Sequence, residues 1–239
     1  MAKIAFVIPA LNEEKSLPFV LQDLPKPDKN HIVIVADNGS TDKTAEIAKK
    51  YNAIVVSQPT KGYGIACLTA LAELQNHHPD TDVVVFLDGD YSDSPKEWKQ
   101  LVNPILHQNY DFVLGSRVLG MKQGMTEKGA LLPQARFGNL LSTFLIRLFW
   151  KERYTDLGPF RAIRYASLQK LNMQDKNFGW TVEMQIRAVK ANLKILEIPV
   201  SYKKRIGVSK VTGTIKGSVM AGIIILKTIF KELFASRSV

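Results

Sequence analysis

Residues 82–95 read D-V-V-V-F-L-D-G-D-Y-S-D-S-P, and the fold turns on how that stretch is understood. Residues 83–87 are an unbroken apolar run, mostly β-branched, such as a strand buried on both faces requires, and the run stops at three carboxylates within six positions. Side chains alternate along a strand. Asp88 and Asp90, two apart, can therefore face the same way at its carboxyl end, where open α/β sheets place their ligands. Two convergent carboxylates there suit a hard divalent cation that keeps several waters and draws its remaining ligands from a substrate diphosphate. The competing reading is a polar turn, with Asp93 or Ser94 capping the helix that Pro95 opens.

Working outward, the same rhythm recurs on both sides. Upstream, the pattern predicts a strand over 3–8, then a helix over 13–24 with Asn12 as its cap and Glu13 and Glu14 at the positive end of its dipole, stopped by Pro25 and Pro27. A second strand over 32–36 runs into D-N-G-S-T-D and a helix over 41–51 capped by Ser40 or Thr41. A third strand over 53–57 is followed by Lys61-Gly62-Tyr63-Gly64 and a helix reaching Asn76. Downstream come a helix over 95–107 and a strand over 111–114 that leads into Gly115-Ser116-Arg117. Strands alternating with helices predict an α/β fold with a mainly parallel central sheet and helices on both faces. Gly62-x-Gly64 is no dinucleotide fingerprint, because its third glycine position is Cys67 and it follows the third strand rather than the first.

After Arg117 the periodicity lapses, and Gly120, Gly124, Gly129 and Pro133 predict a long loop over 119–134 of the lid or binding type. A helix over 135–149 then shows a broad apolar face of Phe137, Leu140, Leu141, Phe144, Leu145 and Leu148. Residues 155–161 read as a turn entering a short strand, 180–191 as a helix and 194–202 as a strand region, followed by K-K-R-I-G-V-S-K. The stretch over 217–235 has an apolar run interrupted by Lys227, Lys231 and Glu232, too short and too charged to span a bilayer. It is expected as an amphipathic helix over 211–239, appended to a domain over 1–210, that lies in a membrane interface or packs on the domain or a second subunit.

Composition narrows the classes. With 239 residues, 46% apolar and 23% charged, the chain can bury one full core. The single cysteine, Cys67, excludes an internal disulfide and fits a reducing compartment. Before Pro9 the apolar run is five residues long, too short for a signal peptide. The four histidines read as solvated positions without ligand spacing. The net charge of +10 is uneven: residues 1–159 hold 17 Lys and Arg against 18 Asp and Glu, whereas residues 160–239 hold 15 against 4. So basic a final third attracts nucleic acid, anionic lipid or a phosphorylated substrate. A nucleic-acid module has no use for an acidic strand-end cluster, which leaves the other two.

Taken together, the segments resemble an inverting glycosyltransferase of family 2 with the GT-A fold, closest to the branch of dolichyl-phosphate mannose synthase and the polyprenyl-phosphate sugar transferases. The resemblance covers nearly the whole chain. It rests on Pro9-Ala-Leu-Asn-Glu13, Asp37-Asn-Gly-Ser-Thr-Asp42, Lys61-Gly62, Asp88-Gly-Asp90, Gly115-Ser-Arg117, Asp156-Leu-Gly-Pro-Phe-Arg161 and Arg205-Ile-Gly-Val-Ser-Lys210, in the family's order. It implies that Pro9, Leu11, Glu13, Asp37, Lys61, Asp88 and Gly89 bind the nucleotide sugar, and that Asp88 and Asp90 hold Mg²⁺ or Mn²⁺ on its diphosphate. Relatives often continue the metal motif with Gln-His; here stand Ser92 and Asp93, which leaves the third ligand open.

The acceptor decides the rest. A hydroxyl must lose a proton as it attacks, and Asp156 or Glu183 are the candidate bases. A polyprenyl phosphate is already anionic and asks for positive charge instead, and Arg117, Arg205, Ser209 and Lys210 are the expected phosphate ligands. Asp90, Arg117 and Asp156 are thus the expected catalytic set. The resemblance implies a peripheral protein of the cytoplasmic face of the plasma membrane.

Overall fold

The computed structural model describes residues 2–207 and 215–235. Seven strands, β1 (Ile4–Ala10), β2 (His31–Asp37), β3 (Ile54–Ser57), β4 (Val83–Phe86), β5 (Phe112–Ser116), β6 (Arg161–Arg164) and β7 (Ile195–Pro199), form one sheet in the order β3-β2-β1-β4-β6-β5-β7. All pairings are parallel except the two made by β6, which runs antiparallel to β4 and β5. The helices are α1 (Leu17–Asp23), α2 (Thr44–Lys50), α3 (Tyr63–His77), α4 (Trp98–His107), α5 (Arg117–Lys122), α6 (Pro133–Trp150), α7 (Tyr165–Leu171), α8 (Trp180–Lys190) and α9 (Ile215–Phe234).

Strand alternation builds two cores, one on each face of the sheet. Val7, Ile34, Val84 and Phe86 face α3, α6, α7 and α8 in one layer, with Trp180 and Ile229 among the buried side chains. Phe6, Ile8, Val35, Val83, Val85 and Leu87 face α1 and α4 in the other. Because the strands are buried on both sides, their sequences read as continuous apolar runs, as residues 83–87 do.

Several local expectations are corrected. Asn12 does not cap a helix; it takes a left-handed conformation (φ 53°), and α1 begins only at Leu17, with Pro18 in its first turn. Neither Ser40 nor Thr41 caps α2, which starts at Thr44; Ser94 holds the amino-cap position of the 3-10 turn Pro95–Glu97 ahead of α4, without a side-chain hydrogen bond to it. The stretch taken as one loop over 119–134 contains α5 and the start of α6. Among the described residues no helix is long and apolar enough to cross a membrane.

Candidate active site

The chain leaves β1 toward β2 on one side and returns through β4 on the other, so the strand order reverses between these two neighbours. That reversal opens a crevice at their carboxyl ends. Pro9 and Ala10 end β1, Asp88 and Asp90 lie just past β4, and between them is a cavity of about 460 Å³. Of the residues expected to bind a nucleotide sugar, Pro9, Leu11, Glu13, Lys61, Asp88 and Gly89 line it, together with Asp90 and Arg205. Asp37 is not among its walls. It is 9% exposed, and its carboxylate accepts from the Ser40 amide (3.1 Å), shaping the turn that presents Asn38 instead. Ser209 and Lys210 lie outside the described residues.

Asn38, Tyr63 and Phe178 also form walls, and the sequence reading had assigned them no role. Asn38 is the organiser of this side. Its Nδ2 donates to the carbonyls of Gln58 (2.9 Å) and Thr60 (2.6 Å), and its Oδ1 accepts from the Gly62 amide (2.8 Å). Lys61 donates to the Asn38 and Gly39 carbonyls, so it too braces the loop. The first two motifs are laced together: Asn12 Oδ1 accepts from the Thr41 amide (2.7 Å), and Thr44 Oγ1 accepts from the Glu13 amide (2.8 Å). The asparagine expected as a cap is thus a cross-link between the β1 and β2 turns.

Opposite lie the acids. Asp90 is 8% exposed; its Oδ1 accepts from the Ser92 amide (2.9 Å) and hydroxyl (2.6 Å), and its Oδ2 pairs with Arg205 (3.2 Å), which also reaches Glu13 (2.8 Å). Asp88 accepts from the Tyr63 hydroxyl (3.1 Å), and its sheltered position together with the Asp90 charge lifts its carboxyl to about 7. Burial and the charges of Asp88 and Asp90 push the Asp93 carboxyl up as well, and its Oδ1 is buried with no partner. Such crowding of carboxylates calls for a cation. Among the described residues no three His, Cys, Asp or Glu side chains converge on one point, so a cation held here would complete its shell with water and substrate oxygens, as Mg²⁺ and Mn²⁺ do. The Nε of Arg205 is buried without a partner.

Arg117 opens α5 at the end of β5, and Asp156 grips it with both carboxylate oxygens: Nε to Oδ2 and Nη2 to Oδ1, each 2.8 Å, with the Arg117 amide on Oδ2 as well. Burial alone would weaken the guanidinium's hold on its proton; the Asp156 charge and hydrogen bonds reverse this and keep it cationic. Asp156, 1% exposed, is therefore fully engaged, and Nη1 of Arg117 is left outside the pair. Glu183 is not brought to the cavity. It is 1% exposed, accepts from the amides of Gln174 and Asp175, and pairs with Arg187 (2.9 Å). Both carboxylates are thus held by an arginine and by backbone amides. Arg161, also in a motif position, is fully buried and spends its donors on the carbonyls of Leu157, Gly158 and Thr181.

The model of the family described as "Glycosyl transferase family 2" matches residues 5–171. The chain belongs to glycosyltransferase family 2. It is 33% identical over 221 residues to an uncharacterized glycosyltransferase of Mycobacterium tuberculosis, covering 91% of this chain and 94% of the relative. It is 30% identical over 234 residues to a dolichyl-phosphate hexose transferase of Haloferax volcanii, covering 96% and 95%. Among solved structures, the glucosyl-3-phosphoglycerate synthase of Mycobacterium tuberculosis, in complex with Mn²⁺, UDP and glucosyl-3-phosphoglycerate, superposes with a TM-score of 0.75 over 97% of this chain and 80% of its own, at 21% identity. The GT-A fold and the use of a nucleotide-sugar donor follow from the family.

This glycosyltransferase has a second cavity, of about 390 Å³, lined by Val118, Pro133, Arg136, Phe137, Asn139, Leu140 and Thr155. Val118 and Thr155 adjoin Arg117 and Asp156 in the chain, so the cavity abuts that ion pair. The sequence reading put Arg136 in the first turn of a helix over 135–149 and gave it no role; the helix starts two residues earlier, at Pro133. From this cavity an exposed apolar stripe of Phe137, Leu140, Phe144 and Leu148 runs along α6, and α9 adds Val219, Met220, Ile223, Phe230 and Phe234. Arg136, Arg147, Lys227 and Lys231 are exposed on the same two helices; the one carboxylate there, Glu232, is buried and paired with Arg187 and Lys190.

Proposed function

We propose that this glycosyltransferase moves a sugar from a nucleotide-diphosphate donor in the crevice between β1 and β4 to a polyprenyl phosphate, of the dolichyl or undecaprenyl type, at the cytoplasmic face of a membrane. The observation that carries the acceptor assignment is the second cavity, which Arg136 lines at the head of an apolar stripe and which adjoins the Arg117–Asp156 pair through Val118 and Thr155. A phosphate with a hydrocarbon tail matches both ends of that arrangement. The exposed apolar and basic faces of α6 and α9 suit the boundary between acyl chains and anionic headgroups. The dolichyl-phosphate hexose transferase relative supports the same acceptor class.

On the donor side, Pro9, Leu11, Glu13 and Asn38 would flank the base and ribose, with Asp37 and Lys61 holding the turn that frames them. Asp88 and Asp90 would hold Mg²⁺ or Mn²⁺. When bound, the cation supplies positive charge to the departing nucleoside diphosphate. Arg205, already poised between Asp90 and Glu13, adds a second positive group from the chain itself. Because the acceptor arrives as an anion, no side chain has to take its proton; Arg117 and Arg136 would orient its oxygen toward the anomeric carbon, opposite the leaving group. Engagement of Asp156 and Glu183 fits a reaction without a base.

The test is a screen of UDP- and GDP-sugars with Mn²⁺ against an undecaprenyl phosphate in mixed micelles, with 3-phosphoglycerate as the competing acceptor. Transfer to the lipid phosphate is expected, and Arg136→Ala should raise the acceptor KM by about tenfold with the donor KM unchanged, as loss of one charged hydrogen bond predicts. Transfer to 3-phosphoglycerate alone would overturn the acceptor assignment.

A further inference from the structure

The side of the donor cavity facing α3 is a loop, residues 174–178, whose last residue Phe178 forms the wall. It has no regular structure, yet it is held from three directions. Toward α3, the amides of Gly64 and Ile65 donate to the carbonyls of Asn177 (3.1 Å) and Lys176 (3.0 Å). Glycine makes this approach feasible: a Cβ on Gly64 would lie 2.0 Å from the Asp175 carbonyl oxygen, and one on Gly62 2.3 Å from that of Lys176. Beneath, Glu183 receives the amides of Gln174 and Asp175. Behind, Asp175 uses Oδ1 for the Asn177 amide (2.7 Å) and Oδ2 for the hydroxyl of Thr228 on α9 (3.1 Å). That hydroxyl also lies 3.0 Å from the Ile224 carbonyl, and the charged carboxylate is the stronger of the two acceptors.

The link from α9 is built rather than incidental. Thr228 is 6% exposed, and a Cβ on Gly179 would fall 2.2 Å from its hydroxyl, so the chain keeps a glycine where any side chain would separate Thr228 from Asp175. One turn further along, Glu232 is buried among Arg187 (2.8 Å) and Lys190 (2.9 Å), and Arg187 in turn holds Glu183. The helix that the sequence reads as an appendage thus has a continuous polar path to the wall of the donor cavity.

We propose that Thr228 is a positioning residue for the donor: through Asp175 it fixes the 174–178 loop against the amino end of α3, and so sets the shape of the cavity that Phe178 closes. The inference rests on the reading of that cavity as the nucleotide site, and the experiment separates the two. Amide hydrogen exchange of the intact, nucleotide-free protein reports the loop directly, and calorimetric titration with UDP or GDP in the presence of Mn²⁺ reports the site.

In Thr228→Val, exchange over residues 62–66 and 174–178 should rise about tenfold, and nucleotide affinity should fall by about three- to tenfold, the scale of one lost hydrogen bond. Thr228→Ser should restore both. Asp175→Ala removes the link from the other side and should repeat the Val phenotype, which guards against a folding defect peculiar to α9. Unchanged exchange in both variants, or faster exchange with unaltered nucleotide affinity, overturns the inference. Failure of the unsubstituted protein to bind either nucleotide overturns the donor reading first, before any variant is made, and this inference with it.

Discussion

Asp90→Asn should fold normally and transfer sugar at a rate lower by on the order of a thousandfold. The substitution is nearly isosteric. An amide oxygen can still accept from the Ser92 amide and hydroxyl, so the turn after β4 keeps its hydrogen bonds. What disappears is the charge. Asp90 shares Arg205 with Glu13, and with Asp88 and Asp93 it makes the acidic patch at the end of β4. Taking one charge from that patch weakens the attraction for a divalent cation at the place where a departing diphosphate would need it. Thermal unfolding, Mn²⁺ titration and turnover read the three consequences separately: a melting temperature within a few degrees of the parent, weakened cation binding, and loss of transfer. Wild-type turnover in Asp90→Asn, or in excess chelator, would remove the basis for a metal site.

The sheet was legible because its strands are buried on both faces, which forces continuous apolar runs such as 83–87 and leaves little ambiguity of period. The antiparallel insertion of β6 was not. Four residues, Arg161–Arg164, give no signal of direction, and that direction is fixed by pairing with β4 and β5, far away in sequence. At the site, the charged residues that line the cavity, Asp88, Asp90 and Arg205, were visible from residue type and position. For Asp156 and Glu183 the sequence showed the residue type and not the partners. Both spend their oxygens on an arginine and on backbone amides that lie far from them in sequence or on a neighbouring turn. Asn38, Phe178 and Arg136 were missed because each owes its place at a cavity to a turn or helix end whose path depends on tertiary contacts. The carboxyl-terminal helix was left between membrane interface and packing, and its burial divides the two: Thr228, Ile229 and Glu232 are buried, while Ile223, Phe230 and Phe234 face outward.

Asp156→Ala should lower stability by about 3–5 kcal/mol, the cost of stranding a buried cation, and Arg117 is that cation, its side chain only 15% exposed. For a chain of this size the loss corresponds to a melting temperature lower by roughly 10 °C. Because the penalty comes from the orphaned guanidinium rather than from the missing carboxylate, adding Arg117→Met to Asp156→Ala should recover much of the stability, yet the double variant should remain inactive for want of the positive charge that meets the acceptor. A general base makes the opposite forecast. Asp156→Asn would then lose about 100- to 10,000-fold in turnover, with Arg117 in place and stability little changed. The pairing geometry predicts that Asp156→Asn, which still offers an oxygen to Arg117 and to the Leu157 amide, retains at least about a tenth of its turnover on a lipid phosphate. Denaturant melts of the two single variants and the double, set beside single-turnover rates for Asp156→Asn, distinguish a carboxylate that holds an arginine from one that takes a proton.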